Sequence, residues 1–428
     1  MKEFYLQPKI VSTMKKYSGQ QFVKDLIAGI IVAIIALPLS IALALASGAA
    51  PQQGIYTAIF AGFAVSLLGG SRIQIAGPTA AFATIVAGII AAQGMDGLIL
   101  ATLLAGVMLI IMGVCKLGGL IKYVPTTITV GFTAGIAVTI LVGQIKDFLG
   151  LTYLNGEKPV ETFEKIEANI HNIGTFSWQA LLVGAVCLAI LIIYPKFEKK
   201  LPPSLIAVVV GALMVKFIPG LNEGVFTIGE LYSNIPSGFP KFTLGSLEFN
   251  LDKVVAVIPD AFTIAILAAI ESLLSCVVAD KMVDSKHNPN AELVAQGAGN
   301  MLSVMFGGIP ATGAIARTAA NAKNGGRTPV AGMVHAVVLL LVILFLMPLA
   351  KLIPMPAIAA ILFMVAYNMS EWRHFVKLCK TEKWYNILVL CVTFILTVVK
   401  DLVVAIAVGL ALHVIFVLIN KLCSKRKV

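Results

Sequence analysis

Two charged residues stand where charge is costly. Glu271 lies within Ile266-Leu267-Ala268-Ala269-Ile270-Glu271-Ser272-Leu273-Leu274-Ser275, and Arg317 within Gly308-Ile309-Pro310-Ala311-Thr312-Gly313-Ala314-Ile315-Ala316-Arg317-Thr318. A carboxylate in such an apolar run is protonated, paired, or turned to a water-filled cavity. The guanidinium can hold an anion or, with that site empty, pair with Glu271. Around Arg317 the chain is broken by Gly and Pro, and a second broken run, Gly69-Gly70-Ser71-Arg72-Ile73-Gln74-Ile75-Ala76-Gly77-Pro78-Thr79-Ala80-Ala81, occupies a comparable place in the first half. Each reads as an extended piece that turns into a short helix. The backbone N–H groups of Thr79, Ala80, Ala81 and Phe82 in one run, and of Thr312, Gly313 and Ala314 in the other, are candidate donors to an oxyanion, with Phe82 as a wall. Small residues also let helices pack closely, so these positions carry a structural reading beside the functional one.

The elements that must position these groups follow from composition. The 428 residues are 59% hydrophobic and 12% charged, with mean hydropathy +0.95. A soluble domain has about a quarter of its residues charged, so this is an all-α polytopic membrane protein. The net charge of +11 is scattered through short loops and termini without any nucleic-acid module, which reads as positive-inside topology. The basic start precedes an apolar stretch without a cleavage site, so it is expected to remain as an anchor. The six cysteines form no CxxC pair, and neither a disulfide framework nor a metal site is expected. No GK[ST] ending follows the Gly-rich runs and no nucleophile–base set is evident, so neither ATP drive, a cofactor nor an enzyme is indicated.

Hydropathy divides the chain into a cytoplasmic N-terminal stretch (1–23), a first repeat (24–218), an exterior linker (219–253) in which 239–249 could form a strand pair, a second repeat (254–422) and a basic tail (423–428). Fourteen membrane segments with both ends inside satisfy nearly every Lys/Arg-rich loop, including the link bearing Arg373, Lys377, Lys380 and Lys383. Segments 3 (about 79–91) and 10 (about 312–322) are half-helices. Seven segments invert the second repeat relative to the first, so the two half-helix starts face one another near the midplane. Each helix start carries roughly half a positive charge, which favours an anion between them. His335 and His413 lack ligand partners at useful spacing and read as satisfied core histidines, and Gly131 and Gly135 as a packing motif.

Several motifs together resemble the sulfate permease (SulP) family of anion transporters. They are Ala36-Leu37-Pro38 through Ser47-Gly48, Gly54-Ile55-Tyr56, Gly69-Gly70-Ser71-Arg72, Gly77-Pro78-Thr79-Ala80-Ala81, Asn288 through Asn300 with Glu292-Leu293-Val294-Ala295-Gln296-Gly297, then Gly308, Pro310, Thr312-Gly313, Ala316-Arg317-Thr318, Asn321, Gly325-Gly326, Thr328-Pro329 and His335. The resemblance implies a mobile core (segments 1–4 and 8–11) against a gate (5–7 and 12–14), elevator-type alternating access, and an anion site between segments 3 and 10. It also implies that the Glu271 position faces that site and couples a cation, and Ser275, one turn on, is grouped with it. Family members usually carry a cytoplasmic STAS domain after the last segment, whereas this chain stops at Val428. Many relatives place Gln and Ser where this chain has Leu39 and Ala316, so the site is expected to rely on backbone N–H groups. Sodium-coupled relatives can place Asp with a hydroxyl partner at the cation position; Glu271, with Ile315 where a hydroxyl could have served, favours a proton.

The expectation is a proton-coupled symporter of a small anion in the bacterial inner membrane, sulfate first, with bicarbonate or a dicarboxylate as alternatives. A sodium-coupled bicarbonate carrier, an uncoupled exchanger or channel, a nucleobase carrier and a non-transporting scaffold are the other readings. Its partners are the anion, the coupling ion and lipid, with a homodimer left open.

Overall fold

The structure, a computed structural model, describes all residues except 1–5, 16, 120–124, 155–158, 199–200, 233–235, 237, 245–249, 401 and 426–428. All fourteen expected segments are helices. Segment 1 is Gly19–Ala46 and segment 2 Pro51–Leu68; segments 3 and 4 share Ala80–Val114, broken at Gly94, where φ is 71° and ψ −177°. That left-handed φ suits only glycine, which is why the break falls there. Segments 5 to 7 are Thr126–Leu149, Trp178–Phe197 and Pro203–Phe217. Segments 8 to 10 are Ile258–Val283, Pro289–Met305 and Ile315–Lys323, and segments 11 to 14 are Val330–Ala350, Met355–Met369, Trp384–Val399 and Leu402–Lys425.

The helices pack in two groups. Segment 9 lies on segments 2 and 4, segment 11 on segments 1 and 2, and segment 8 beside segment 10. Segment 5 meets segments 12 and 13, segment 12 meets 6, 6 meets 7, and 13 meets 14. Small residues allow close crossings: a Cβ on Gly297 would stand 2.5 Å from the Gly106 carbonyl, and one on Gly135 would stand 2.6 Å from Thr397 Cβ. Both are steric exclusions, so Gly131 and Gly135 do act as packing residues, for segment 5 on segment 13.

Between the halves runs one short antiparallel pair, β1 (Ala76–Gly77) with β2 (Thr312–Gly313), in the register Ala76↔Gly313 and Gly77↔Thr312. Segment 10 therefore starts at Ile315, three residues later than the sequence suggests. Pairing with β1 takes up the residues between.

Buried Asp25, near the start of segment 1, gathers five donors. Its Oδ1 accepts from Gln21 Nε2 (3.0 Å) and from the N–H groups of Arg327 (2.9 Å) and Thr328 (3.4 Å), while Oδ2 accepts from Tyr17 (3.1 Å) and Thr328 Oγ1 (2.6 Å). Segment 1 is thereby fastened to the turn after segment 10. Burial and the Asp25 carboxylate push the Tyr17 phenol up to about 12.

Three expectations are corrected. The link at 372–381 is a helix, Trp372–Thr381, and not a plain loop. Residues 239–244 form no strand, and 245–249 lie outside the described residues. His335 is buried but not satisfied: neither ring nitrogen has a partner among the described residues, and His413 Nδ1 has none either. Cys115, Cys187, Cys276, Cys379 and Cys391 are free thiols.

Candidate functional site

Thr79 is the N-cap of segment 3, yet its hydroxyl makes no capping bond. It donates instead to Glu271 Oε2 at 2.9 Å, and Thr312 Oγ1 of β2 donates to the same oxygen at 2.7 Å. The two hydroxyls are 3.1 Å apart. Both hydroxyls thus lie within hydrogen-bond reach of one carboxylate oxygen. Glu271 Oε1 has no hydrogen-bond partner among the described residues. One residue from each half of the chain and the acid of segment 8 thus meet at one point, and the hydroxyl partners expected to be missing around Ile315 are supplied by Thr79 and Thr312.

The helix starts at this point are uncapped. In segment 3, the Ala80 and Ala81 N–H groups have no acceptor among the described residues, and the Phe82 N–H turns back to the Thr79 carbonyl at 3.2 Å. In segment 10 the donors free among the described residues are Ile315, Ala316 and Arg317, which differs from the expected Thr312, Gly313 and Ala314. Gly313 N–H is held by Ser272 Oγ (3.0 Å) and Ala314 N–H by the Ile75 carbonyl (2.8 Å), because β2 needs these bonds to stay in place. Ile315 is 45% exposed and Ala316 is also exposed, so the opening lies at the first turn of segment 10. Phe82 is 1% exposed and packs in the main hydrophobic core.

Arg317 is only 1% exposed. Its Nη2 donates to the Pro78 carbonyl, while Nε and Nη1 find no partner among the described residues. No ion pair joins it to Glu271, so the expected pairing of the two is not made. The guanidinium sits behind β1, just before Thr79, where its charge adds to the positive end of segment 3. The buried Ser275 hydroxyl donates to Thr318 Oγ1 at 3.5 Å and makes no hydrogen bond to the Glu271 carboxylate.

A second buried acid, quoted above only as part of a motif, holds this arrangement from behind. Glu292 of segment 9 accepts from Gly70 N–H (2.9 Å) at Oε2, and from Gln74 Nε2 (3.0 Å) and Gln296 Nε2 (2.9 Å) at Oε1. Gln74 also donates to the Ser272 carbonyl at 3.1 Å, and Ser272 adjoins Glu271. Asn300 ties the other run by bonds to both the N–H (2.8 Å) and carbonyl (2.9 Å) of Ala311. Gln296 is one turn away, but Gly70 and Gln74 lie more than two hundred residues away in sequence, which hides the network from local patterns.

A cavity of about 510 Å³ separates the two helix groups, lined by Thr84 of segment 3, Thr263 and Asp260 of segment 8, Thr139 of segment 5, and Thr397 and Lys400 at the end of segment 13. No cluster of three or more His, Cys, Asp or Glu side chains fit to hold a metal occurs among the described residues.

Broken half-helices meeting at a buried, hydroxyl-lined carboxylate inside a bundle of apolar helices are the build of a membrane carrier. Residues 22–393 match the sulfate permease family. The chain is 45% identical over 403 residues, 94% of its length and 74% of the relative, to YvdB of Bacillus subtilis (strain 168), provisionally named a sulfate transporter. It is 35% identical to the bicarbonate transporter BicA of Picosynechococcus sp., covering 90% of this chain and 68% of that one. In structure it resembles the transmembrane domain of a cyanobacterial BicA (TM-score 0.78, 29% identity, 91% of this chain and 99% of that one). It shares the fold of SLC26A9 (TM-score 0.87, 20% identity, 97% and 68% covered). The chain belongs to the sulfate permease family of anion transporters.

Proposed function

We propose that this chain is a secondary active transporter of a small oxyanion, with sulfate as first substrate and bicarbonate or a dicarboxylate as alternatives, driven by a proton carried on Glu271. The observation that carries the reading is the convergence of two uncapped helix starts on the carboxylate of Glu271. The free N–H groups of Ala80, Ala81, Ile315, Ala316 and Arg317 give an anion its hydrogen bonds, and Arg317 supplies net charge. An anion beside an ionised Glu271 is repelled, so protonation of Glu271 favours anion binding, and anion binding favours protonation. Coupled transport follows where only the empty or the doubly loaded carrier changes sides.

An antiparallel pair of equivalent strands is what a pseudo-two-fold axis in the membrane plane generates, which supports a seven-plus-seven inverted repeat. The two packed groups and the cavity between them support alternating access by displacement of segments 1–4 and 8–11 against the rest. Basic loops favour a plasma-membrane orientation with both termini cytoplasmic. A second reading rests on the same oxygens: a carboxylate with two hydroxyls is also a set that sodium accepts.

The test is uptake of labelled sulfate, bicarbonate and succinate into proteoliposomes with an imposed proton gradient, sodium gradient or neither. Acid outside is expected to raise uptake of one anion; stimulation by sodium alone would move Glu271 to sodium binding, and no gradient dependence would leave an exchanger or channel. Gly77→Ala probes Arg317, because its Cβ would collide with the guanidinium. Losing the bond to the Pro78 carbonyl is expected to weaken anion affinity about tenfold, the effect of one charge-assisted hydrogen bond. Unchanged affinity would remove Arg317 from the site.

A further inference from the structure

The helix Trp372–Thr381, between segments 12 and 13, has three distinct faces. Leu378, Phe375 and Cys379 pack on Val130 of segment 5 and Leu390 of segment 13, with the Phe375 and Phe394 rings 5.5 Å apart. That face fixes the helix to the end of the bundle. Beside it lie Trp372 and Val376, four residues apart, 48% and 41% exposed. Next comes a stripe of Arg373, Lys377 and Lys380 at the i, i+4, i+7 spacing of one helix face, extended by Lys383 just past the helix end. All four are exposed, and among the described residues none is paired with a carboxylate; Glu371 is 3.1 Å from His374 instead. Arg373 stands 5.5 Å from the Trp372 ring, and Trp384 at the start of segment 13 is 69% exposed.

We propose that this helix is a docking surface for anionic phospholipid, with Trp372 and Val376 entering the acyl–headgroup boundary and Arg373, Lys377, Lys380 and Lys383 binding the phosphate headgroups. An exposed apolar stripe alongside an unneutralised basic stripe is the pattern of a helix that lies in a membrane interface. An exposed tryptophan at the start of a membrane segment marks that depth. Charge complementarity selects the lipid: a zwitterionic headgroup offers no net charge to the stripe, whereas an anionic one attracts each lysine and arginine separately. Because the helix is packed on segments 5 and 13, bound lipid would hold that helix group against the bilayer while the other group moves.

The experiment reconstitutes the full chain into nanodiscs of phosphatidylcholine with a minor fraction of phosphatidylglycerol and measures, by native mass spectrometry, how strongly the protein retains phosphatidylglycerol over phosphatidylcholine. Wild type is expected to prefer phosphatidylglycerol, and Arg373→Gln/Lys377→Gln/Lys380→Gln to lose at least about tenfold of that preference. The control Lys286→Gln/Lys323→Gln, which removes charge elsewhere, is expected to keep it. Should the triple variant fail to fold, raised salt on wild type reads the same interaction, since screening must lower the preference. Equal retention by the triple variant, insensitivity to salt, or displacement of phosphatidylglycerol by millimolar glycerol phosphate would overturn the proposal, the last by assigning the stripe to a free phosphate.

Discussion

Glu271→Gln is expected to abolish accumulation of the anion under a pH gradient while sparing exchange of anion for anion. The amide has nearly the shape of the acid, and its oxygen can still accept from Thr79 and Thr312 as Glu271 Oε2 does. What it cannot do is bind and release a proton. With one proton carried per anion and no membrane potential, each unit of pH gradient sustains about tenfold accumulation. The variant should therefore fall from that ratio to one. Counterflow of labelled against unlabelled sulfate, measured in the same proteoliposomes, should persist, because the helix starts that hold the anion are untouched. Loss of both activities would mean that Glu271 builds the site and does not couple it, and undiminished accumulation would place coupling elsewhere.

The second large effect is expected behind the site. Glu292→Ala removes the carboxylate that holds the Gly70 N–H, the Gln74 amide and the Gln296 amide, and leaves three donors without it in a buried setting. Each unsatisfied buried donor costs about 1–3 kcal/mol, so the sum is roughly 3 kcal/mol or more. For a fold whose whole margin is of order 5–15 kcal/mol, that is a large share. Thermal unfolding in detergent should shift clearly downward, and transport should be lost with it because Gln74 also fixes Ser272 beside Glu271. Glu292→Gln keeps one acceptor oxygen and should be milder on both measures. An alanine variant that unfolds at the wild-type temperature would show that the network is dispensable.

The fourteen segments were legible because hydropathy and Gly/Pro breaks are local signals: Gly94 divides segments 3 and 4 and Pro51 opens segment 2, as residue type dictates. Glu271 and Arg317 stood out because charge in an apolar run is rare. Their partners did not. The Thr79 and Thr312 hydroxyls appeared as neighbours of backbone donors, and only the pairing of Ala76 with Gly313 turns both onto one carboxylate. The Ser272 hydroxyl takes the Gly313 N–H and the Ile75 carbonyl the Ala314 N–H, which moves the free donors of segment 10 among the described residues to Ile315, Ala316 and Arg317. Glu292 carried no local sign of its role, since its motif is polar in sequence and its partners come from segment 9 and the distant Gly70–Gln74 turn. For Arg317, sequence could indicate the burial problem but not its outcome: the Pro78 carbonyl takes one N–H, and Glu271 takes none.

The proposed linkage between protonation of Glu271 and anion binding at one site can be read by equilibrium binding, without transport. Sulfate affinity would be measured by calorimetric titration of the purified protein, from acid to neutral pH, for wild type and Glu271→Gln. Wild-type affinity is expected to rise as pH falls, up to about tenfold per unit where one proton is taken up, and the variant to bind with an affinity independent of pH. The same pH dependence in both proteins would contradict the linkage.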